Sequence, residues 1–247
     1  MEWEPNTNGT ISMVGNAVDS FEVDSRTLPM PVRIRDAKMA GAVFLCDARA
    51  AERALSGTPF KPLRIGGRAL SLLACVQYID GDLDSYDEFG IELVVRGPDG
   101  KIGAFTLDLP VTASFTRSAG RAVWGLPKFV VDGAIVAEKR QTRFEVTEGD
   151  EFIMSGSIAG RTPVPGRFSA SVRGWSVGLE GPNSGAVLLT PSRMRVRGVR
   201  FSMGGNRIAL GQHPMAGTAR SLGMSSRPLC SFTAQRMEAE IGGSIAQ

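Results

Sequence analysis

Histidine and cysteine are scarce in this chain. Its 247 residues hold one histidine, His213, and three cysteines, Cys46, Cys75 and Cys230. A single imidazole leaves histidine-based proton transfer one candidate, and no Ser-His-Asp, Cys-His or zinc-ligand set can be assembled around it. Being next to Pro214, His213 is expected to be structural or exposed. Three cysteines, odd in number and far apart, make neither a disulfide framework nor a metal motif, and read as reduced, buried thiols. Concentrated charge of one sign is also missing. The formal charge is +3, and Lys and Arg are spread along the chain, so nothing points to nucleic acid. No apolar run is long enough to span a bilayer. The start, Met1-Glu2-Trp3-Glu4-Pro5, lacks the cationic flank and apolar core of a signal peptide. The expected compartment is the cytoplasm.

What is present is an ordinary globular composition, 43% hydrophobic and 21% charged, with enough chain for a substantial core. Residues 1–28 are polar and without period, and are expected to form an N-terminal arm ahead of one domain over 29–247. Within that domain Val32-Arg33-Ile34-Arg35 alternates like a short strand, with Arg33 and Arg35 on one face. Residues 42–45 form a short buried run. Asp47 can cap a helix through Leu55 that Gly57 closes. Residues 69–78 read as a core strand. The hairpin signal Gly97-Pro98-Asp99-Gly100 joins strands over 91–95 and 102–107. Further strands are expected over 129–136, 142–147, 152–158, 167–177, 185–189 and 193–203. In the last, arginines alternate with apolar residues until the phase slips at Gly198, where a bulge would restore it. Many short strands with Gly-rich turns predict a mainly β (α+β) fold, a barrel or sandwich with a few short helices. The acidic run Asp80, Asp82, Asp84, Asp87 and Glu88 does not match a calcium loop, and its aspartates read as solvated.

One stretch stands apart: Gly120-Arg121-Ala122-Val123-Trp124-Gly125-Leu126-Pro127-Lys128-Phe129. It sets a lysine after a proline in nearly uncharged surroundings. On its own Lys128 reads as a strand-edge residue with its head in water. The stretch, however, resembles the Gly-Arg-Glu-x-Trp-Gly-x-Pro-Lys segment of the acetoacetate decarboxylase family, in which the lysine forms an imine with a keto acid. Arg121, Trp124, Gly125, Pro127 and Lys128 match. Ala122 replaces a glutamate, and Phe129 stands where the founding enzymes carry a second lysine. Tyr86-Asp87-Glu88-Phe89-Gly90 resembles the family's Tyr-x-Glu-x-Gly, whose glutamate faces the reactive lysine. Gly211-Gln212-His213-Pro214-Met215-Ala216-Gly217 resembles a late segment leading into a short helix.

The resemblance implies an antiparallel β-barrel or cone and a lyase that needs no cofactor or metal. Its partner is a small keto acid, and the assembly a homo-oligomer. Lys128 is the implied nucleophile, and Glu88 the residue that handles protons or orients the imine. Arg35, or else Arg33, is the implied carboxylate ligand, equally readable as a surface ion pair. Trp124, Leu126 and Tyr86 are implied substrate walls, and Arg121 pins a loop or an interface. β-Keto acid decarboxylation comes first among the reactions. Ala122 and Phe129 keep an aldolase-dehydratase or cyclase role open, and a non-catalytic barrel with Lys128 as counter-ion is the reading from another class.

Imine chemistry needs a free amine. With a reference pKa of about 10.4, roughly one lysine in two thousand is neutral at about pH 7, and a value near 7 makes that about half. Burial supplies shifts of up to about 3 to 5 units. The resemblance itself implies such activation, in the founding enzymes beside a second cation. If 128 and 129 lie on one strand they point to opposite faces, so loss of a cation at 129 is tolerable. Desolvation by walls such as Trp124 and Leu126 is then the expected cause. The pairing with Glu88 is expected to be moderate, because a close carboxylate favours the charged amine.

Overall fold

Period-two patterns dominate the computed structural model, which describes residues 19–180, 183–204, 206–225 and 227–247. In chain order the described elements begin with β1 (Ser20–Val23), β2 (Arg26–Pro29), β3 (Val32–Cys46), helix α1 (Ala48–Ala54), β4 (Lys61–Pro62) and β5 (Arg64–Ile65). Then come β6 (Arg68–Gly81), β7 (Tyr86–Arg96), β8 (Ile102–Val111), helix α2 (Ser114–Trp124) and β9 (Lys128–Val130). The second half holds β10 (Asp132–Ala137), β11 (Gln141–Glu148), β12 (Glu151–Ala159), β13 (Thr162–Pro163), β14 (Arg167–Val177) and β15 (Val187–Ser202). It ends with β16 (Arg207–Leu210), helix α3 (Pro214–Ser221), β17 (Cys230–Ile241) and β18 (Ile245–Ala246).

Seven of these strands close a barrel in the order β7, β6, β3, β17, β15, β14, β8 and back to β7. An odd number of strands cannot alternate direction all the way round, so one neighbouring pair must run parallel. That pair is β14 and β8, at Gly174↔Ala104 and Trp175↔Phe105. The same edge of β8 is taken further along by β9, also parallel, with Leu109↔Lys128. β9 thus enters the barrel wall beyond the end of β14. The mainly β fold with a few short helices agrees with the sequence reading.

Alternation divides each barrel strand between two cores. Outward-facing Phe89, Ile91, Leu93 and Val95 of β7 belong to a cluster with Ile135, Phe144, Val146, Ile153, Met154 and Ile158. Those partners come from the second sheet, β10-β11-β12-β16, which lies over the barrel. Phe89 and Phe144 meet with ring centroids 6.3 Å apart. Gln77 donates to the Ile135 carbonyl, and Asp87 accepts from the Ile135 N–H, both at 2.8 Å, pinning β10 to the wall. The inward cluster gathers Val32, Ile34, Val76, Tyr78, Leu83, Tyr86, Val111, Trp124 and Met237.

Several expectations change. Residues 20–28, assigned to a loose arm, form the β1–β2 hairpin, whose Val23 and Leu28 are buried in the inner cluster. The remainder of the arm, 1–18, lies outside the described residues. The segments 32–35 and 42–45 are one fifteen-residue strand, β3. Residues 129–136 split at Val131 between β9 and β10, in different sheets. No register shift interrupts the β15–β17 pairing at Gly198, so the expected bulge is absent from that ladder. Gly198 takes φ +63 instead, and Arg200 beyond it is buried, donating to the Gly160 carbonyl at 2.8 Å. Asp47 does cap α1, accepting from the Ala50 N–H at 2.9 Å.

Candidate active site

The Gly120–Lys128 stretch is a helix end turning into a strand. Helix α2, not foreseen from the sequence, buries Thr116, Ala119, Gly120, Val123 and Trp124. Gly125 stops it in the left-handed conformation, φ +59, where its N–H reaches the Arg121 carbonyl at 3.2 Å, while Leu126 N–H reaches that of Gly120 at 3.0 Å. A side chain at 125 would also meet Gly178 Cα at 2.8 Å. Pro127 then leads into β9. Gly120 makes room for the lysine, since a Cβ there would lie 2.4 Å from Lys128 Cδ and 2.8 Å from Cε. Its bare backbone lets the lysine lie along the helix toward Thr116, one turn away on the same face. Arg121 pairs with Glu180 at 2.5 Å and ties the helix to the segment just after β14.

Lys128 is 3% exposed. Its Nζ stands 2.7 Å from Glu88 Oε2, donates to Thr116 Oγ1 at 2.9 Å, and lies 5.2 Å from the centroid of the Tyr86 ring. The contact with Glu88 is direct, closer than the moderate pairing expected. Tyr78 donates to the other carboxylate oxygen of Glu88 at 3.1 Å and stacks on Tyr86 at 4.3 Å. Burial, and then the charge of Glu88, push both phenols well above their ordinary value, so they remain neutral hydrogen-bond donors. Phe129 points the other way, stacked on His213 at 5.8 Å. His213 caps α3, its Nδ1 accepting from Met215 N–H and its Nε2 facing Glu148 at 2.9 Å, which fits the structural reading.

These groups face a cavity of about 160 Å³ lined by Tyr78, Tyr86, Glu88, Trp124, Leu126 and Lys128 among others. That is below the common range for drug-sized ligands, roughly 300 to 1,000 Å³. Trp124 is fixed by donation from Nε1 to the Gly242 carbonyl at 2.8 Å. A larger, more open depression of about 590 Å³ beside α1 is lined by Leu55, Phe60, Arg64 and Arg96. It brings together none of the candidate residues.

Arg35 requires correction. Its guanidinium is exposed and held by Asp80 at 2.7 Å and Asp82 at 2.6 Å, and it does not line the cavity. Those hydrogen bonds raise its already high pKa and lower that of Asp80. Arg33 is exposed as well. The inward positions at this end of β3 are taken by Val32 and Ile34, so the odd positions look outward. Asp84, likewise, holds Arg26 at 2.8 Å.

Five polar cavity residues escaped the sequence reading: Tyr78, Glu92, Thr106, Thr190 and Ser192. Glu92 was within reach, because 86, 88, 90 and 92 share one face of a strand. Reading β structure only from Ile91 hid that continuity. Its carboxyl is pushed up to about 7, first by burial and then by the negative charge of Glu88. Thr116 could be placed only once α2 was recognised.

Among solved structures the chain is similar to one described under structural studies of acetoacetate decarboxylase, with TM-score 0.66 and 13% identity over 88% of this chain and 89% of that one. It is similar to acetoacetate decarboxylase from Legionella pneumophila, TM-score 0.65 and 13% identity, over 99% and 98%. The enduracididine biosynthesis enzyme MppR complexed with pyruvate gives TM-score 0.63 and 16% identity over 90% and 93%. At such identities these likenesses speak for the fold. No curated protein matches the sequence. The family model described as acetoacetate decarboxylase matches residues 22–226, and by that match, over most of its length, the chain belongs to the acetoacetate decarboxylase family.

Proposed function

We propose that the chain is a cofactor-free, imine-forming lyase acting on a small keto acid, with β-keto acid decarboxylation as its first reaction. The observation that carries this reading is the enclosed Lys128 amine facing a small cavity with Glu88 at 2.7 Å. Glu88 takes the proton that the ammonium must lose. The free amine adds to the ketone carbon, water leaves, and a protonated imine remains. The bond from the α-carbon to the carboxylate then breaks, and its electron pair moves through the carbon skeleton to the iminium nitrogen. Carbon dioxide and an enamine result. Protonation at carbon and attack by water release the ketone and restore the amine. Thr116 and Tyr86 hold Nζ in place, and Tyr78 holds Glu88. Trp124 and Leu126 keep the cavity small and apolar on one side.

A second reading, addition of a pyruvate-like enamine to an aldehyde, draws on the structural likeness to MppR complexed with pyruvate. It also draws on a second carboxyl, Glu92, in the cavity. Incubation with acetoacetate or with pyruvate, reduction with cyanoborohydride and peptide mapping test the common step. The expected result is a mass increase on the peptide carrying Lys128. Carbon dioxide release from acetoacetate, against carbon-carbon bond formation from pyruvate and an added aldehyde, then separates the two reactions. Absence of an adduct with every keto acid would leave a non-catalytic binding barrel with Lys128 as a counter-ion.

A further inference from the structure

Glu92 is a carboxyl with nothing to neutralise it. Lys128 is the sole cation among the described residues that line the cavity, and Glu88 already occupies it. Among the described residues no ion pair or hydrogen bond reaches the Glu92 side chain. It is part-exposed, yet protein surrounds it, so the surface it shows is that of the cavity. Gly90, between the two glutamates on this face, adds no side chain, and a Cβ there would press within 3.2 Å of Leu109 Cδ1. Sheet register brings hydroxyls to the same end. Thr106 lies opposite Glu92 across β7–β8, and Thr190 lies opposite Gly174, whose other neighbour is Ala104. Along β7 and β8 the Glu92–Thr106 pair stands away from the level of Glu88–Val111 and Leu109–Lys128, and with Thr190 and Ser192 it adds polar groups to the cavity that holds Lys128, Glu88, Tyr78 and Tyr86.

We infer that Glu92 is a specificity-determining residue. As the neutral acid it donates a hydrogen bond to the oxygen function at the far end of the substrate; as the carboxylate it turns away substrates that carry an anion there. The inference rests on the imine-forming reading of Lys128 given above. A carboxyl lifted to about 7 changes form near neutrality, and the cause is burial followed by the charge of Glu88. The titratable groups facing it from the packed elements are Glu88 of β7, Lys128 of β9, Tyr78 of β6 and Tyr86 of β7. From β8 and β15 it meets only the hydroxyls.

Levulinate and methyl levulinate test this, because they share one ketone and differ in whether the far carboxyl is ionised. Each is trapped on Lys128 with cyanoborohydride across a pH series, and the ratio of the two trapping rates is read. The same amine attacks both, so its own protonation cancels from the ratio. In the unaltered protein the levulinate to methyl levulinate ratio should fall by about tenfold per pH unit above about pH 7, as the acid form of Glu92 is depleted. In Glu92→Gln, which keeps a donor but cannot ionise, the ratio should stay flat. Should that variant fail to fold, NMR of the side-chain carboxyl carbons of the unaltered protein replaces it. One glutamate should titrate near neutrality and respond to trapped methyl levulinate. A ratio independent of pH in the unaltered protein, or an unchanged pH dependence in Glu92→Gln, overturns the inference while leaving the imine reading intact. Failure of both ketones to form any adduct sinks the imine reading and the inference together.

Discussion

Along β7 the two faces of one strand serve opposite ends. The odd positions Phe89, Ile91, Leu93 and Val95 are fully buried under the second sheet. The even positions Tyr86, Glu88 and Glu92 look into the cavity. Apart from Asp87, whose carboxylate is met by the Ile135 N–H, the dry face holds no group that must find a partner, and each of the four apolar side chains contributes on the order of 2 to 3 kcal/mol by leaving water. The cavity face carries two carboxyls that would each be more comfortable in water. Along this strand the stabilising burial lies on the outside, which leaves the inside free to hold charges in fixed positions. This predicts that substitutions on the two faces of the same strand, or on groups facing them, fail in different assays.

The sharpest break comes from Lys128→Met. Imine trapping should disappear and turnover fall by at least about a thousandfold, since among the described residues no other amine lines the cavity to take over as nucleophile. Circular dichroism should show the barrel still folded, with Glu88 keeping its hydrogen bond from Tyr78. A folded variant that still forms the adduct would remove Lys128 from its role. On the opposite face, Phe89→Ala should lower unfolding free energy by about 3 to 5 kcal/mol through lost burial and a cavity against Phe144. Urea denaturation reads that loss, and trapping on Lys128 at low temperature should persist.

A third prediction joins the faces through pH. Glu92 is raised from an ordinary carboxylate value to about 7 in the folded chain. Between those values the folded state holds a proton that the unfolded state has released, so stability falls as pH rises through that window. Below it the group is neutral in both states and has no effect; above about 7 the full penalty applies, at most about 3 kcal/mol. Glu92→Gln should therefore be the more stable protein at about pH 8, with the difference vanishing near about pH 4. Urea midpoints at both values, compared with those of the unaltered chain, check this. A difference that does not change with pH would mean that Glu92 ionises as if in water.

Gly120→Ala should divide stability from activity. Alanine suits a helix interior better than glycine by about 1 kcal/mol, but its Cβ would sit 2.4 Å from Lys128 Cδ. The lysine must bend away from Thr116 and Glu88. Trapping should slow by roughly tenfold or more, as expected when a reacting group is displaced by about 1 Å, while the melting temperature holds or rises. A variant as fast as the parent would show that the lysine has room that the structure does not show.

How much of this could be read from sequence follows from what each signal depends on. Lys128, Glu88, Tyr86, Trp124 and Leu126 stand in local motifs, and all five line one cavity. Phe129 is placed on the outer face by alternation alone, and it packs there on His213. Helix α2 escapes a sequence reading because the buried face of its first two turns is made of Thr116, Ala119 and Gly120, small residues that carry little apolar signal, and large apolar groups enter that face only at Val123 and Trp124 in the last turn. The break at Val131 escapes it because strand propensity on either side of Asp132-Gly133 does not reveal that neighbours join different sheets. Thr106, Thr190 and Ser192 come together through pairing between strands far apart in sequence, which no local pattern encodes.

Arg35 gives the smallest and last test. Sequence alternation puts it on the strand face opposite Val32 and Ile34, but alternation alone cannot say which face of a barrel strand looks into the cavity. In the folded chain it sits on the exposed side, forked between Asp80 and Asp82. Exposed ion pairs contribute little, because water screens them and two long side chains lose freedom to form them. Arg35→Ala should therefore leave the trapping rate on Lys128 within about twofold of the parent. The sign with pH is fixed all the same. Asp80 is lowered by the hydrogen bond from Arg35, so whatever stability the pair adds is present above the ordinary carboxylate range and lost as pH falls through the lowered value. Removing Arg35 should make the acid limb of the stability curve slightly less steep, and added salt should erase the difference. A large fall in trapping of acetoacetate, with trapping of a neutral ketone unchanged, would instead mean that Arg35 reaches the substrate carboxylate and that the two sides of β3 had been assigned the wrong way round.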